Sequence, residues 1–109
     1  GKHAVLALTQ ILAAELGPRG VRVNAVAPGY TLSDGLKEKI ARGERDPDAI
    51  VETTALRRFV EPADVAEAAA FLCSDLAASI TGVTLPVDAG WLVQASYAQY
   101  LRGNPIRPA

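Results

Sequence analysis

Hydrophobic residues recur at helical spacing in the first part of the chain and predict a helix over residues 2–16. One apolar side consists of Val5, Leu8, Leu12 and Leu16, and a second consists of Leu6, Ile11, Ala13 and Ala14. A helix that is apolar on two sides is buried more deeply than a helix on the surface of a domain. Gly17 and Pro18 predict its end, because proline cannot continue the helix after a C-cap glycine.

Alternating apolar and polar residues predict two strands, at 21–26 and 83–87, and helical spacing between them predicts a further helix over 62–74. Pro86 cannot donate a hydrogen bond to a neighbouring strand, so we expect the second strand to lie at the edge of a sheet. The order helix, strand, helix, strand is typical of a parallel α/β sheet. Two strands are few for such a sheet, and we expect the chain to be the second half of a larger fold.

The segment at 28–60 is polar and charged and separates the first strand from the second predicted helix. It predicts at most two short helices, near 33–42 and 47–53, and within it we expect residues 34–56 to be mobile and to pack little. Long connections of this kind are usually lids or binding loops. Residues 94–109 are expected to hold one short helix and then to fray.

The composition is that of a globular protein, with 50% hydrophobic and 21% charged residues among 109. A net charge of −1 gives no basic field for nucleic acid or an anionic membrane. Cys73 is the single cysteine and is predicted to pack among apolar residues; no Cys/His cluster has metal spacing. A cytoplasmic protein is therefore expected. The absence of methionine and a start within a helix favour a piece of a longer polypeptide.

The candidate chemistry lies where the first strand ends, because ligands of open α/β sheets bind beyond the carboxyl ends of the strands. Pro28 and Gly29 predict a sharp turn, in which Gly29 has no Cβ to block the close approach of a ligand. Thr31 and Ser33 offer hydroxyl and backbone N–H groups. The alternative is that Ser33 only caps a helix. Lys2 is expected at the same rim, although a cation is unfavourable at a helix N-terminus. A solvated lysine is the alternative there.

Two long runs of sequence resemble the short-chain dehydrogenase/reductase family: "GKHAVLALTQILAAELGPRGVRVNAVAPGYT" and "ALRRFVEPADVAEAAAFLCSDLAASITGVTLPVDAG". The resemblance covers about residues 1–90 and begins just after the family's catalytic tyrosine. It implies the C-terminal half of a doubly wound, three-layer Rossmann fold. Residues 1–93 would belong to one NAD(P)-binding domain, with a substrate loop at 34–56 and a tail at 94–109.

The resemblance also implies roles for individual residues, with NAD and NADP both open as cofactors. Lys2 matches the lysine that binds the nicotinamide ribose and lowers the pKa of the catalytic tyrosine. Pro28 and Gly29 match the pair behind the nicotinamide ring. Thr31 matches the residue whose backbone meets the carboxamide, and Ser33 keeps the hydroxyl that the family usually supplies from threonine.

Three functions follow as hypotheses. The first is part of an oxidoreductase that moves hydride between nicotinamide and an alcohol or ketone, inactive as an isolated 109-residue chain. The second is a non-catalytic Rossmann-like binding or regulatory module, and the third is a complete small interaction domain. The resemblance further implies a homotetramer or dimer, with Leu6, Ala13 or Ala14 in one interface and Trp91 near another.

Overall fold

Five α-helices and two strands follow one another along residues 1–103, the part of the chain that the computed structural model describes. Short 3₁₀ turns at Gly17–Arg19 and Asp75–Ala77 follow the first and fourth helices. The elements are α1 (Lys2–Leu16), β1 (Ala25–Pro28), α2 (Asp34–Ala41), α3 (Pro47–Glu52), α4 (Pro62–Cys73), β2 (Thr84–Val87) and α5 (Trp91–Gly103).

The described chain divides into two units. Residues 1–28 and 63–87 form the first, which contains α1, β1, α4 and β2. Residues 29–62 and the described residues from 88 onward form the second, which contains α2, α3 and α5. The single domain proposed for residues 1–93 stays a prediction.

The first unit is built on a parallel pair of strands, which confirms the predicted α/β class. Ala25 lies opposite Thr84, and Pro28 lies opposite Val87. The predicted strand at 21–26 was misplaced, since β1 begins at Ala25 and reaches Pro28. Within the described chain β2 pairs with β1 alone, and its position at a sheet edge stays a prediction.

Polar side chains explain why β1 starts late. The Arg22 guanidinium donates to the carbonyls of Leu72 at 2.6 Å, Ser74 at 3.1 Å and Ile80 at 3.2 Å. The Asn24 amide donates to the Ile80 carbonyl at 3.0 Å, and its oxygen accepts the N–H of Val83 at 3.1 Å. Residues just before β1 are thus anchored by side chains, and the Arg22 cation lies where the dipole of α4 is negative.

The helix α1 has the predicted bounds, but few of its side chains are buried. Thr9 and Ala13 face inward, whereas Val5, Leu8 and Ile11 are each more than half exposed. A Cβ at Gly82 would lie 3.4 Å from the Cβ of Ala13, so Ala13 packs inside the unit. The prediction that Ala13 lies in an interface between subunits was therefore wrong for that residue.

The end of α1 is confirmed at Gly17, although this glycine keeps a right-handed conformation with φ of −52°. The chain reverses three residues later at Gly20, where φ is +77°. Pro18 is accommodated because it lies at the start of the 3₁₀ turn, where its missing N–H costs nothing.

The second unit confirms both short helices of the polar segment. Ser33 precedes α2 and Asp46 precedes α3, and each side chain accepts a backbone N–H of the first turn. The expectation that residues 34–56 pack little was wrong, because Ile50 is 5% exposed and Thr54 is 2% exposed. The Thr54 hydroxyl donates to the Val51 carbonyl at 2.9 Å and accepts the Arg58 N–H at 3.2 Å.

Two further expectations change. Cys73 was predicted to pack, but it is exposed, because Leu72 takes the buried position at the end of α4. The helix expected in the tail begins earlier, at Trp91, so the proposed boundary after residue 93 falls in its first turn. The predicted fraying of residues 104–109 lies outside the described residues.

Replacing Arg22 by methionine is expected to destabilise the protein that contains this chain. Three carbonyls lose a charged donor, and one hydrogen bond to a charged group contributes about 1.5–3 kcal/mol, so a loss of at least about 1.5–3 kcal/mol is expected. Urea denaturation measures the change. Arg19→Met removes an exposed arginine close by and serves as the control. Equal unfolding free energies for the two variants would contradict the role of Arg22.

Candidate functional site

The turn that follows β1 has no room for a side chain at Gly29. A Cβ on Gly29 would lie 2.8 Å from both the Cα and the Cβ of Asp88, and 3.3 Å from the Asp88 carbonyl oxygen. Glycine is required here by space, since only its missing Cβ permits this approach. Gly29 thus marks a contact between two stretches of backbone.

The side chain and the backbone of Thr31 make hydrogen bonds to different partners. Its hydroxyl donates to the Gly29 carbonyl at 3.1 Å, so its hydrogen is already used, and the presentation of this hydroxyl to a ligand stays a prediction. A parallel bridge joins Thr31 to Val60: the Val60 N–H donates to the carbonyl of Tyr30 at 3.0 Å, and the Val60 carbonyl accepts the N–H of Leu32 at 2.8 Å. In this pattern the Thr31 N–H points away from Val60, and it donates to no acceptor among the described residues.

Ser33 confirms the alternative that it caps a helix. Its hydroxyl oxygen accepts the Leu36 N–H at 3.3 Å, at the start of α2. An oxygen that accepts in this bond keeps its own hydrogen for donation. Ser33 is exposed, so its O–H is available to a ligand while the oxygen caps the helix. The capping role and a binding role are therefore compatible.

The remaining predicted site residues lie in the first unit. Pro28 is the last residue of β1 and lies opposite Val87. Lys2 is the first residue of α1, whose first turn contains no acidic residue and whose N-cap, Gly1, provides no side-chain hydrogen bond. The position of Lys2 at the same rim as Gly29 stays a prediction.

The sequence reasoning missed Asp88, which contacts Gly29. The signal was present: Gly29 directly follows β1 and Asp88 directly follows β2. The carboxyl ends of neighbouring parallel strands are where ligand sites form in open α/β sheets, and the rule that selected Gly29 selects Asp88 as well.

A stacking contact beside the turn was also missed. The Arg45 guanidinium lies over the Tyr30 ring at 5.4 Å from its centroid. Such exposed contacts contribute about 0.5–1 kcal/mol. Arg45 belongs to the connection between α2 and α3, which is thereby held against the residue that follows Gly29.

Within residues 1–103, no cluster of three His, Cys, Asp or Glu side chains is placed to hold a metal ion. Over the same residues, every helix is too short or too polar to cross a membrane.

Comparison with known proteins gives a match over most of the chain. Residues 1–92 match the model of a family described as enoyl-(acyl carrier protein) reductase. Over 92 residues the chain is 46% identical to an A-factor type gamma-butyrolactone 1'-reductase (1S-forming) from Streptomyces virginiae. The matched region covers 84% of this chain and 36% of that protein. The chain spans about a third of the length of the curated relatives it matches.

Solved structures resemble it as well. A structure named ribose-5-phosphate isomerase, from Brucella melitensis 16M, is 43% identical with a TM-score of 0.83, covering 97% of this chain and 40% of that one. A structure named ElxO with NADP bound is 36% identical with a TM-score of 0.80, covering 84% of this chain and 37% of that one.

The same substitution at two glycines is expected to have opposite effects on stability. Gly29→Ala forces a Cβ into the Asp88 backbone and is expected to destabilise the protein by about 1–3 kcal/mol, the usual range for overpacking. Gly35→Ala is the matched control in α2, where the nearest atom to the new Cβ is the Ser33 hydroxyl oxygen at 3.9 Å. It should stabilise by up to about 1 kcal/mol, since alanine favours a helix. Thermal unfolding checks both, and two shifts of the same sign would overturn the packing argument.

Proposed function

The chain belongs to the short-chain dehydrogenase/reductase family, and on that premise we propose that its parent protein is an NAD(P)-dependent oxidoreductase. The reaction would transfer hydride between nicotinamide and an alcohol or ketone. The likeness to solved structures confirms the expected partial Rossmann fold. We propose that residues 1–109 form the C-terminal portion of this enzyme, beginning just after its catalytic tyrosine.

The observation that carries the proposal is the pair of free donors beside Gly29. A nicotinamide cofactor presents a carboxamide, whose oxygen accepts hydrogen bonds. The Thr31 N–H has no acceptor among the described residues, and the Ser33 O–H keeps its hydrogen while its oxygen caps α2. Two donors from one turn fit one carboxamide, and Pro28 with Gly29 would lie behind the ring. The bound cofactor would supply the hydride chemistry, as the NADP of the ElxO structure supports.

Lys2 has the second role in the proposal. The first turn of α1 contains no acidic residue that could pair with its cation. A nearby positive charge favours the ionised form of an acid, so it lowers the pKa of a tyrosine beside it. Lys2 would act in this way on the tyrosine that the family has one helical turn earlier, and would also donate to the hydroxyls of the nicotinamide ribose.

We further propose a homo-oligomer, a tetramer or a dimer, in the cytoplasm. The exposed side chains of Val5, Leu8 and Ile11 on α1 support an interface there, because a large exposed apolar patch usually marks a contact surface. Leu6 and Ala14 are also exposed and keep their proposed place in it. Trp91 is 37% exposed and would lie near a second interface. The alternative is that another part of the parent protein covers α1.

Two other functions remain as alternatives to the oxidoreductase. A non-catalytic Rossmann-like module would not need the cation at Lys2 or the free donors at Thr31 and Ser33. The isomerase name of one solved neighbour belongs to a structure of which the chain covers 40%. An isomerase would convert its substrate without a net change in the absorbance of the nicotinamide.

Lys2→Met in the intact enzyme is expected to lower kcat/KM for ketone reduction at least about 100-fold, a loss of about 2.7 kcal/mol of transition-state stabilisation. The loss of NADH or NADPH absorbance with a panel of simple ketones measures it. Methionine is a good helix former, so the fold should persist. Lys39→Met, on the exposed surface of α2, is the control. A loss of under about threefold for Lys2→Met would remove its assigned role.

Residues 1–109 alone are expected to be inactive and to bind nicotinamide cofactors weakly. The sequence contains no glycine-rich phosphate loop, and this loop supplies much of the affinity in a Rossmann site. Calorimetric titration of the isolated chain with NADH and NADPH tests the expectation. Binding tighter than about 1 μM, or −8.2 kcal/mol, would be inconsistent with it.

A further inference from the structure

Asp88 is held in place by hydrogen bonds at the start of α5. One carboxylate oxygen accepts the Gly90 N–H at 2.9 Å, and the other accepts the Leu92 N–H at 3.3 Å. The Asp88 carbonyl accepts the Trp91 N–H at 3.0 Å. Both ends of the residue are therefore fixed to the same helical turn, and the carboxylate is favoured there by the positive end of the helix dipole.

The backbone of Asp88 is also the surface on which Gly29 rests. A Cβ at Gly29 would lie 2.8 Å from the Cα and from the Cβ of Asp88. An approach this close leaves no gap to absorb a shift, because packed groups transmit displacement. A movement of Asp88 must therefore move Gly29.

The two residues after Asp88 bind the same turn to the segment at 54–56. Ala89 has a φ of +53°, a left-handed conformation that is strained for a residue with a Cβ. Its carbonyl accepts the Leu56 N–H at 3.0 Å. Gly90 has a φ of +83°, and a Cβ on it would lie 2.5 Å from the Cβ of Ala55. The left-handed conformation of Ala89 persists only where the surrounding structure imposes it.

We propose that Asp88 is a positioning residue for the cofactor turn, acting through Gly29. Its carboxylate holds the turn at 88–90, and this turn sets the position of the Gly29 backbone. Gly29 is joined to Thr31 through the hydrogen bond from the Thr31 hydroxyl to the Gly29 carbonyl, so the free Thr31 N–H is placed by the same contact. The proposal rests on the proposed function, since it assumes that the Thr31 N–H binds the nicotinamide carboxamide.

A helix cap with no other role would give different results. Asp46 provides the comparison, because its carboxylate accepts the Asp48 N–H at 3.0 Å at the start of α3, in the same unit. Asp88→Ala and Asp46→Ala each remove an acidic cap, and both are expected to lower the unfolding midpoint. Asp88 differs from Asp46 in its contact with Gly29 and in accepting a second N–H, that of Leu92.

The test measures the Kd of NADH and of NADPH for the intact enzyme by fluorescence titration, beside the unfolding midpoint. Asp88→Ala is expected to weaken binding of the preferred cofactor about tenfold, and Asp46→Ala to change it less than about twofold. Asp88→Asn keeps an acceptor for the Gly90 N–H and is expected to recover part of the affinity, with a Kd between those of Asp88→Ala and the unaltered enzyme. Should Asp88→Ala fail to fold, an intermediate Kd of Asp88→Asn, with Asp46→Ala unchanged, supports the proposal.

Three results are distinguished by the design. If the unaltered enzyme binds neither NADH nor NADPH, the proposed function itself fails. If it binds one of them and the folded Asp88 variants bind equally well, the positioning role is overturned while the function stands. Equal weakening by Asp88→Ala and Asp46→Ala also overturns it, because the effect then belongs to capping in general.

Discussion

The candidate site depends on two stretches of backbone that approach so closely that one of them cannot carry a side chain. Gly29 lies against Asp88 at a distance that excludes even a methyl group. This close approach also restricts the positions of the residues that bind to the turn. Thr31 is fixed to Gly29 by its hydroxyl, and Val60 holds Thr31 from the other side by a parallel bridge. As a result of that arrangement the Thr31 N–H has no acceptor among the described residues, and in the proposed function it is the donor to the cofactor.

Polar side chains satisfy much of the backbone where regular structure ends. Arg22 and Asn24 bind carbonyls and an N–H beyond α4, just before the paired residues of β1 and β2. Ser33, Asp46 and Asp88 accept N–H groups at the starts of α2, α3 and α5. Buried backbone groups that stay unpaired are costly. These side chains therefore determine where each element begins, and two of them, Ser33 and Asp88, lie in the candidate site.

Most of the helices could be predicted because the signals are local. The bounds of α1 and α4 follow apolar spacing and proline, and α2 and α3 follow their capping residues. The strands were less predictable. Arg22 and Asn24 alternate with apolar residues as in a strand, yet their side chains bind partners about fifty to sixty positions away and delay β1. The burial of Ile50 and Thr54 was missed because the polar composition of the segment hides a few inward-facing residues.

The sequence by itself determined most of the helices, the capping role of Ser33, the parallel α/β class and the family to which the chain belongs. It also indicated Gly29, Thr31 and Ser33, because a turn after a strand is a local feature. Only the tertiary structure decided that Asp88 lies against Gly29, that Ala13 packs on Gly82 and that the Thr31 hydroxyl donates to the Gly29 carbonyl. The contacts of Asp88 and Ala13 join residues far apart along the chain. The rotamer of Thr31 depends on the conformation of the surrounding turn. No local sequence pattern specifies the distance between the backbones of Gly29 and Asp88.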